Sequence, residues 1–143
     1  MDTAPSDVVD RLIAATNDRN LDALADCFAE DVRSIQPAHP SRSFVGREQV
    51  RQNWARILGG IPDLETRVVD RAVAGDRVFA ELAFDGHRPD GAPFRLRGVT
   101  VNRVTDGRID ELHFYMEPID AEDVGIDEAV GAAVGAAAPT GNR

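Results

Sequence analysis

At 143 residues the chain has the length of one domain with a real core and is too short for two ordinary ones. Apolar residues make up 43% and charged residues 29%, a globular balance that excludes the charge-rich, apolar-poor signature of disorder. Acidic side chains outnumber basic ones by 25 to 16 and the arginines form no basic block, which speaks against a nucleic-acid partner. The N-terminal MDTAPSDVVDRL carries acids where a signal peptide needs a basic stretch and an apolar run. No segment reaches the roughly 18 apolar residues of a membrane span, so the sequence reads as cytoplasmic with no membrane partner.

Ser6 is the expected N-cap of a first helix, in which Val8, Val9, Leu12, Ile13 and Thr16 recur at helical spacing behind an acidic first turn. The stretch NDRN, Asn17 to Asn20, breaks that pattern. Leu21, Leu24, Ala25 and Phe28 then predict a shorter second helix ending near Ala29. Both helices are amphipathic and must lie on something apolar. Cys27, in LADCFA, is the only cysteine: it allows no internal disulfide and no CxxC zinc spacing, and its apolar neighbours predict a buried inert thiol.

After Asp31 the stretch VRSIQPA reads as a short strand, closed by Pro37 and Pro40. A loop through Phe44 leads to Gly46 and to a third helix with Val50, Trp54, Ile57 and Leu58 on one face, stopped by Gly59, Gly60 and Pro62. From Leu64 the texture is β: LETRVVDRAVA, RVFAELAFDG, FRLRGVTVNRV and RIDELHFYME, separated by turn chemistry, of which Asp106-Gly107 is a strong hairpin signal. Sequential strands with such tight links predict an antiparallel meander, and helices followed by a meander predict an α+β fold. Residues 121–143 are rich in Ala and Gly, with Val124, Ile126, Val130 and Val134 as the only anchors; they read as a tail, partly mobile or docking on a partner subunit, with a short helix near 127–137.

This order of elements resembles the nuclear transport factor 2-like superfamily, which includes SnoaL-like polyketide cyclases, ketosteroid isomerases and limonene epoxide hydrolases. The resemblance runs from about Val8 to Pro118. It is carried by NDRNLDALADCFAEDV, by GREQVRQNWARIL with the following PDLE, by AGDRV, and by RVTDGRIDELHFYMEP, none of which is an active-site signature. It implies a cone-shaped, strongly curved antiparallel sheet packed on three N-terminal helices, with residues 1–120 enclosing a pocket for a hydrophobic small molecule and a homodimer formed through the convex face. Aligned with the isomerases, Gln36 takes the place of the base, Leu12 that of the oxyanion-hole tyrosine and Thr100 that of the protonated acid. A glutamine amide cannot shuttle a proton and a leucine cannot donate a hydrogen bond. Aligned with the cyclases, the histidine and aspartate fall on Thr100 and Phe114, and the epoxide hydrolases' last aspartate also falls on Phe114. The resemblance therefore implies a pocket whose usual proton-handling groups are absent.

Strand alternation puts Leu112, Phe114 and Met116 on the cavity side of the last strand and His113, Tyr115 and Glu117 on the other. The same parity offers Gly98, Thr100 and Asn102 to the cavity, where Thr100 and Asn102 would hydrogen-bond a ligand or satisfy their neighbours. In RVFAELAFDG two readings stand. Apolar periodicity turns Val78, Ala80, Leu82 and Phe84 inward, whereas alignment with the family turns Arg77, Phe79, Glu81, Ala83 and Asp85 inward, making Glu81 or Asp85 a general base. Trp54 is a candidate pocket wall, alongside Gln36 and Leu12. His39 and His87 have no acidic or sulfur ligands at regular spacing, so no metal and no cofactor are expected. The expectation is a cofactor-independent isomerase or cyclase acting on a polyketide- or steroid-like compound. The alternative is a non-catalytic ligand-binding or dimerisation module.

Overall fold

The computed structural model describes residues 4–135. Its elements in chain order are α1 (Pro5–Asn17), α2 (Leu21–Asp26), β1 (Phe28–Ile35), a 3-10 turn (Pro40–Arg42), β2 (Phe44–Val45), α3 (Arg47–Gly60), β3 (Glu65–Ala74), β4 (Arg77–His87), β5 (Pro93–Thr105), β6 (Arg108–Pro118) and α4 (Ile126–Ala133). Together they give the expected α+β order. The strands form one six-stranded sheet ordered β2-β1-β6-β5-β4-β3. β3 to β6 make the antiparallel meander, and the β5–β6 hairpin turns on Asp106 (φ 53°) and Gly107 (φ 77°), the pair of left-handed residues that such a turn requires.

The sheet is not wholly antiparallel: β1 runs parallel to β6, with Ser34 beside Leu112 and Ile35 beside His113. The long α3 crossover and the meander return the chain to the first strand in that direction.

Two helix-end expectations are corrected. The second helix stops at Asp26, because Phe28 already pairs with Ile109 and is buried there, and the Ile109 N–H donates to the Cys27 carbonyl at 2.8 Å. Pairing with a distant strand overrides the helical spacing of Phe28. The first helix starts at Pro5, whose ring presets the helical φ, and the Ser6 hydroxyl accepts from the Arg71 guanidinium at 2.7 Å instead of capping. His87 ends β4 and is held by Asp63, which accepts from its backbone N–H and meets its ring Nδ1, both at 2.7 Å. The tail helix ends at Ala133, and the last residues expected of it lie outside the described residues.

Helices α1, α2 and α3 pack on the sheet, and the interior divides into two apolar clusters. One gathers Val8, Leu24, Cys27, Phe28, Val32, Val50 and Ile109; the other gathers Val9, Ile61, Leu64, Val78, Ala80, Leu82, Phe84 and Met116. Each fully buried Leu, Ile or Phe among them contributes about 1.5–3 kcal/mol by leaving water. Trp54 touches both clusters and joins them.

The NDRN stretch clamps α1 to β3. The Asn17 side chain donates to the Thr66 carbonyl and accepts from the Thr66 N–H, each at 2.8 Å, while the Arg19 guanidinium reaches the carbonyls of Pro62 and Leu64. Gly46, at φ 114°, makes the bend into α3 and donates to the Val32 carbonyl at 2.8 Å. No helix among the described residues is long and apolar enough to cross a membrane.

Candidate ligand pocket

A cavity of about 760 Å³ opens between α3, the end of β1 with the short β2, and the inner face of the meander. That is within the range of pockets for drug-sized molecules. Phe84, Phe94, Leu96, Leu112 and Phe114 form its sheet wall. Register explains the grouping: Phe84 pairs with Leu96, Gly86 with Phe94, and Phe114 with Thr100, so these side chains share one face. From α3 come Val50, Asn53, Trp54, Arg56 and Ile57, and from β1 and its continuation Phe28, Ser34 and Gln36. Trp54 meets Phe84 edge to face at a centroid distance of 5.9 Å and an interplanar angle of 68°, which fixes the indole in the wall.

The polar groups in this wall are few and do not trade protons near neutral pH. They are Ser34, Gln36, Asn53, Arg56 and Arg88. Asn53 Oδ1 accepts from Gln49 at 2.8 Å, so the donor side of its amide is not used in that bond. Among the described residues, no three His, Cys, Asp or Glu side chains converge as a metal site requires.

Of the residues singled out in the sequence, Gln36, Trp54, Leu112 and Phe114 line this cavity. Leu12 does not; it packs against the first core cluster beneath α1. Met116 is buried in the second cluster, outside the wall. Thr100 and Asn102 are on the inner face but under the surface, 6% and 2% exposed: the Asn102 amide donates to Thr100 Oγ1 at 3.0 Å and to the Val78 carbonyl at 3.3 Å. The Asn102 N–H₂ is thus occupied by Thr100 and the backbone.

The two readings of β4 separate cleanly. Val78, Ala80, Leu82 and Phe84 are buried in the core, and Glu81 is exposed on the opposite face. The burial of four apolar side chains outweighs the alignment that would have turned Glu81 inward. Asp85 shares the outer parity, where it accepts from Arg95 Nε at 3.0 Å and from Arg97 at 3.1 Å. Burial alone would raise its pKa, but the hydrogen bonds and charges of these two arginines outweigh that and hold the carboxyl below its usual value. Neither carboxylate is in the cavity wall.

Phe84, Phe94 and Leu96 were legible by extending the strand parity already used for Phe114; Asn53 and Ile57 follow from the helical stripe through Trp54. Arg56 and Arg88 carry no such periodic signal. Outside the pocket, Glu111 is buried on the outer face between His113 (2.9 Å), Arg103 (3.1 Å) and Arg33 (3.6 Å), and the His113 hydrogen bond, more than burial opposes it, lowers its pKa. Cys27 is buried, and burial pushes its thiol pKa up, away from nucleophilic use.

A helix-walled apolar cavity on an antiparallel meander is the architecture of the site. Residues 9–112 match the SnoaL-like domain, and the chain belongs to that family. No curated protein matches the sequence. Among solved structures, a protein of ketosteroid isomerase-like fold from Catenulispora acidiphila, in complex with trimethylamine, is 27% identical with a TM-score of 0.66, over 76% of this chain and 84% of that one. IdmH from Streptomyces antibioticus, a proposed polyketide cyclase, is 26% identical with a TM-score of 0.71, over 80% of this chain and 93% of its own. A proposed isomerase from Bacillus subtilis shares the fold, with a TM-score of 0.70 at 18% identity over 95% of this chain and 96% of that one.

Proposed function

We propose that the protein binds an apolar organic molecule of polyketide or steroid size in the cavity, without a cofactor, and does so in the cytoplasm. The observation that carries this reading is the wall itself: aromatic and aliphatic side chains, with Ser34, Gln36 and Asn53 as orienting groups and no carboxylate, imidazole, thiol or phenol. The outward Glu81 and the ion-paired Asp85 favour binding over acid–base conversion. Ligands extracted from the purified protein and identified by mass spectrometry would name the class. In calorimetric titrations with polycyclic ketones and steroids, Ile57→Trp, which fills the cavity from α3, should abolish binding, whereas Glu81→Gln should leave it unchanged. Loss of binding in the glutamine variant, or full binding in the filled one, would overturn the reading.

A second reading is favoured by the likeness to IdmH. The pocket would fold a flexible polyketide chain so that confinement and hydrogen bonds from Gln36, Ser34 and Asn53 to a carbonyl oxygen promote its closure. Product formation that survives Glu81→Gln and Asp85→Asn but fails in Gln36→Leu would support it.

The outer face of the meander supports a homodimer. Phe79, Val101 and His113 lie in one cross-strand row and Val99 and Tyr115 in the next, with Phe79 and Tyr115 40% and 43% exposed. Large apolar side chains at the centre of a sheet face suit an interface core. Sedimentation should give twice the chain mass for the native protein and the single mass for Phe79→Glu combined with Tyr115→Glu; a monomeric native protein would end this part of the proposal.

A further inference from the structure

We propose that the pocket selects an amphipathic carboxylate, its apolar body against the aromatic wall and its anionic head held by Arg56 and Arg88 at the mouth. This deepens the binding reading above and rests on it. Of the 18 residues that line the cavity two are arginines and none is acidic, in a chain with 25 acidic side chains and a net charge of −9. In an acid-rich chain, a cavity lining that holds two cations and no acid is a local inversion of charge, and an anionic ligand is what such an inversion attracts.

Both arginines line the cavity, one from α3 and one from the loop after β4. Gly86 near the end of β4 abuts Ile61, so closely that a Cβ there would stand 2.5 Å from the Ile61 side chain; the loop carrying Arg88 and Pro89 is thereby held beside the last turns of α3, which carry Arg56. Among the described residues neither guanidinium donates a hydrogen bond. Among the described residues Arg56 makes no ion pair or hydrogen bond, and Arg88 reaches only Asp90 at 3.7 Å, too far for a hydrogen bond. Other arginines of the fold are engaged by acids at closer range, such as Arg71 with Asp10 at 2.6 Å and Arg103 with Asp110 at 2.8 Å. All 16 basic residues of the chain are arginines, whose planar fork suits a carboxylate in two parallel hydrogen bonds. The wall offers a cationic ligand no carboxylate to pair with.

Trp54, the only tryptophan, stands in the wall and reports occupancy directly. Its fluorescence in the full chain can be titrated with decanoate, decan-1-ol and decyltrimethylammonium, three ligands with one tail and different heads. At low salt decanoate should bind about tenfold tighter than decanol, with the ammonium compound weakest. In about 0.5 M salt the preference should shrink. Arg56→Gln combined with Arg88→Gln, both at exposed positions, should bring the decanoate-to-decanol affinity ratio to about one. Equal affinity of the acid and the alcohol in the native protein, or a preference that outlasts both substitutions, would overturn the proposal while leaving the apolar pocket standing. Failure of all three ligands to bind would remove the pocket reading and this inference with it.

Discussion

Gly98→Ala tests the sheet that forms the pocket wall. Gly98 pairs with Met116 across β5 and β6, and an alanine Cβ there would lie 2.0 Å from the Tyr115 carbonyl oxygen and 2.8 Å from Met116 Cα. All the obstructing atoms are backbone, so no side chain can rotate away. To restore ordinary contact the strands must part by roughly 1.4 Å from their spacing of about 4.8 Å, which stretches a hydrogen bond of about 2.9 Å beyond its useful range. Losing about two or three ladder bonds at about 1 kcal/mol each, with some packing, costs about 2–4 kcal/mol of a stability expected to be about 5–15 kcal/mol. Gly59, exposed in the last turn of α3 with nothing within 4 Å of an added Cβ, is the control: Gly59→Ala should gain up to about 1 kcal/mol from helix propensity. Urea unfolding followed by circular dichroism reads both. Because Leu96, Leu112 and Phe114 hang from the same register, Gly98→Ala should also weaken binding in the cavity. A Gly98→Ala protein within about 0.5 kcal/mol of native would refute this account of the β5–β6 contact.

Asp85→Asn should cost about 0.5–1 kcal/mol at neutral pH, a modest figure because the carboxylate and its arginines are partly exposed and screened. Its folded pKa lies below the unfolded value near 3.8, so its stabilisation is present above that value and disappears as the pH falls through the folded one. The variant's stability should therefore fall less steeply below about pH 4; acid unfolding curves of identical slope would count against the ion pair. Asn102→Ala should cost about 2–3 kcal/mol while ligand affinity changes by less than about twofold, since Asn102 is buried under the wall. A calorimetric titration in which affinity drops and stability does not would reverse that assignment. Ile126, Val130 and Val134 leave α4 with an apolar flank 77%, 52% and 71% exposed; if it docks on a partner subunit or the cavity mouth, deleting 121–143 lowers the melting temperature or the ligand affinity, and no change in either disposes of the idea.

What the sequence disclosed follows the range over which its signals act. The helical stripes of α1 and α3 and the turn residues between strands are local, so the α+β order and the meander were legible from period and punctuation alone. Phe28 keeps helical spacing in the sequence, and its partner Ile109, 81 positions away by number, leaves no local trace. The parallel β1–β6 pairing is hidden for the same reason. β4 shows which signal to prefer when two conflict: the alternation of Val78, Ala80, Leu82 and Phe84 reports burial directly, whereas alignment at low identity slips by a residue and reverses every side chain. Arg56 and Arg88 lie outside any period, since a pocket mouth is assembled from a helix end and a loop that only tertiary structure brings together.

The division between core and wall explains how such a scaffold changes its chemistry. Val8, Leu24, Val32, Leu64, Val78 and Ile109 are buried and line no cavity, so they hold the sheet and helices together whatever occupies the pocket. Gln36, Trp54, Leu112 and Phe114 face open space on one side, so exchanging them changes what the cavity presents, at a cost in core contact for the last three. A carboxylate at position 114 would meet Leu96, Leu112 and Phe94 across an apolar cavity and have its pKa raised toward neutrality, which is the environment a general base uses. Phe114 carries no titratable group and presents apolar surface to the cavity. Phe114→Asp would accordingly regain a titratable group whose pKa, measured by pH-dependent fluorescence of Trp54, lies well above 4; an ordinary carboxylate value there would mean that the cavity is wetter than its lining implies.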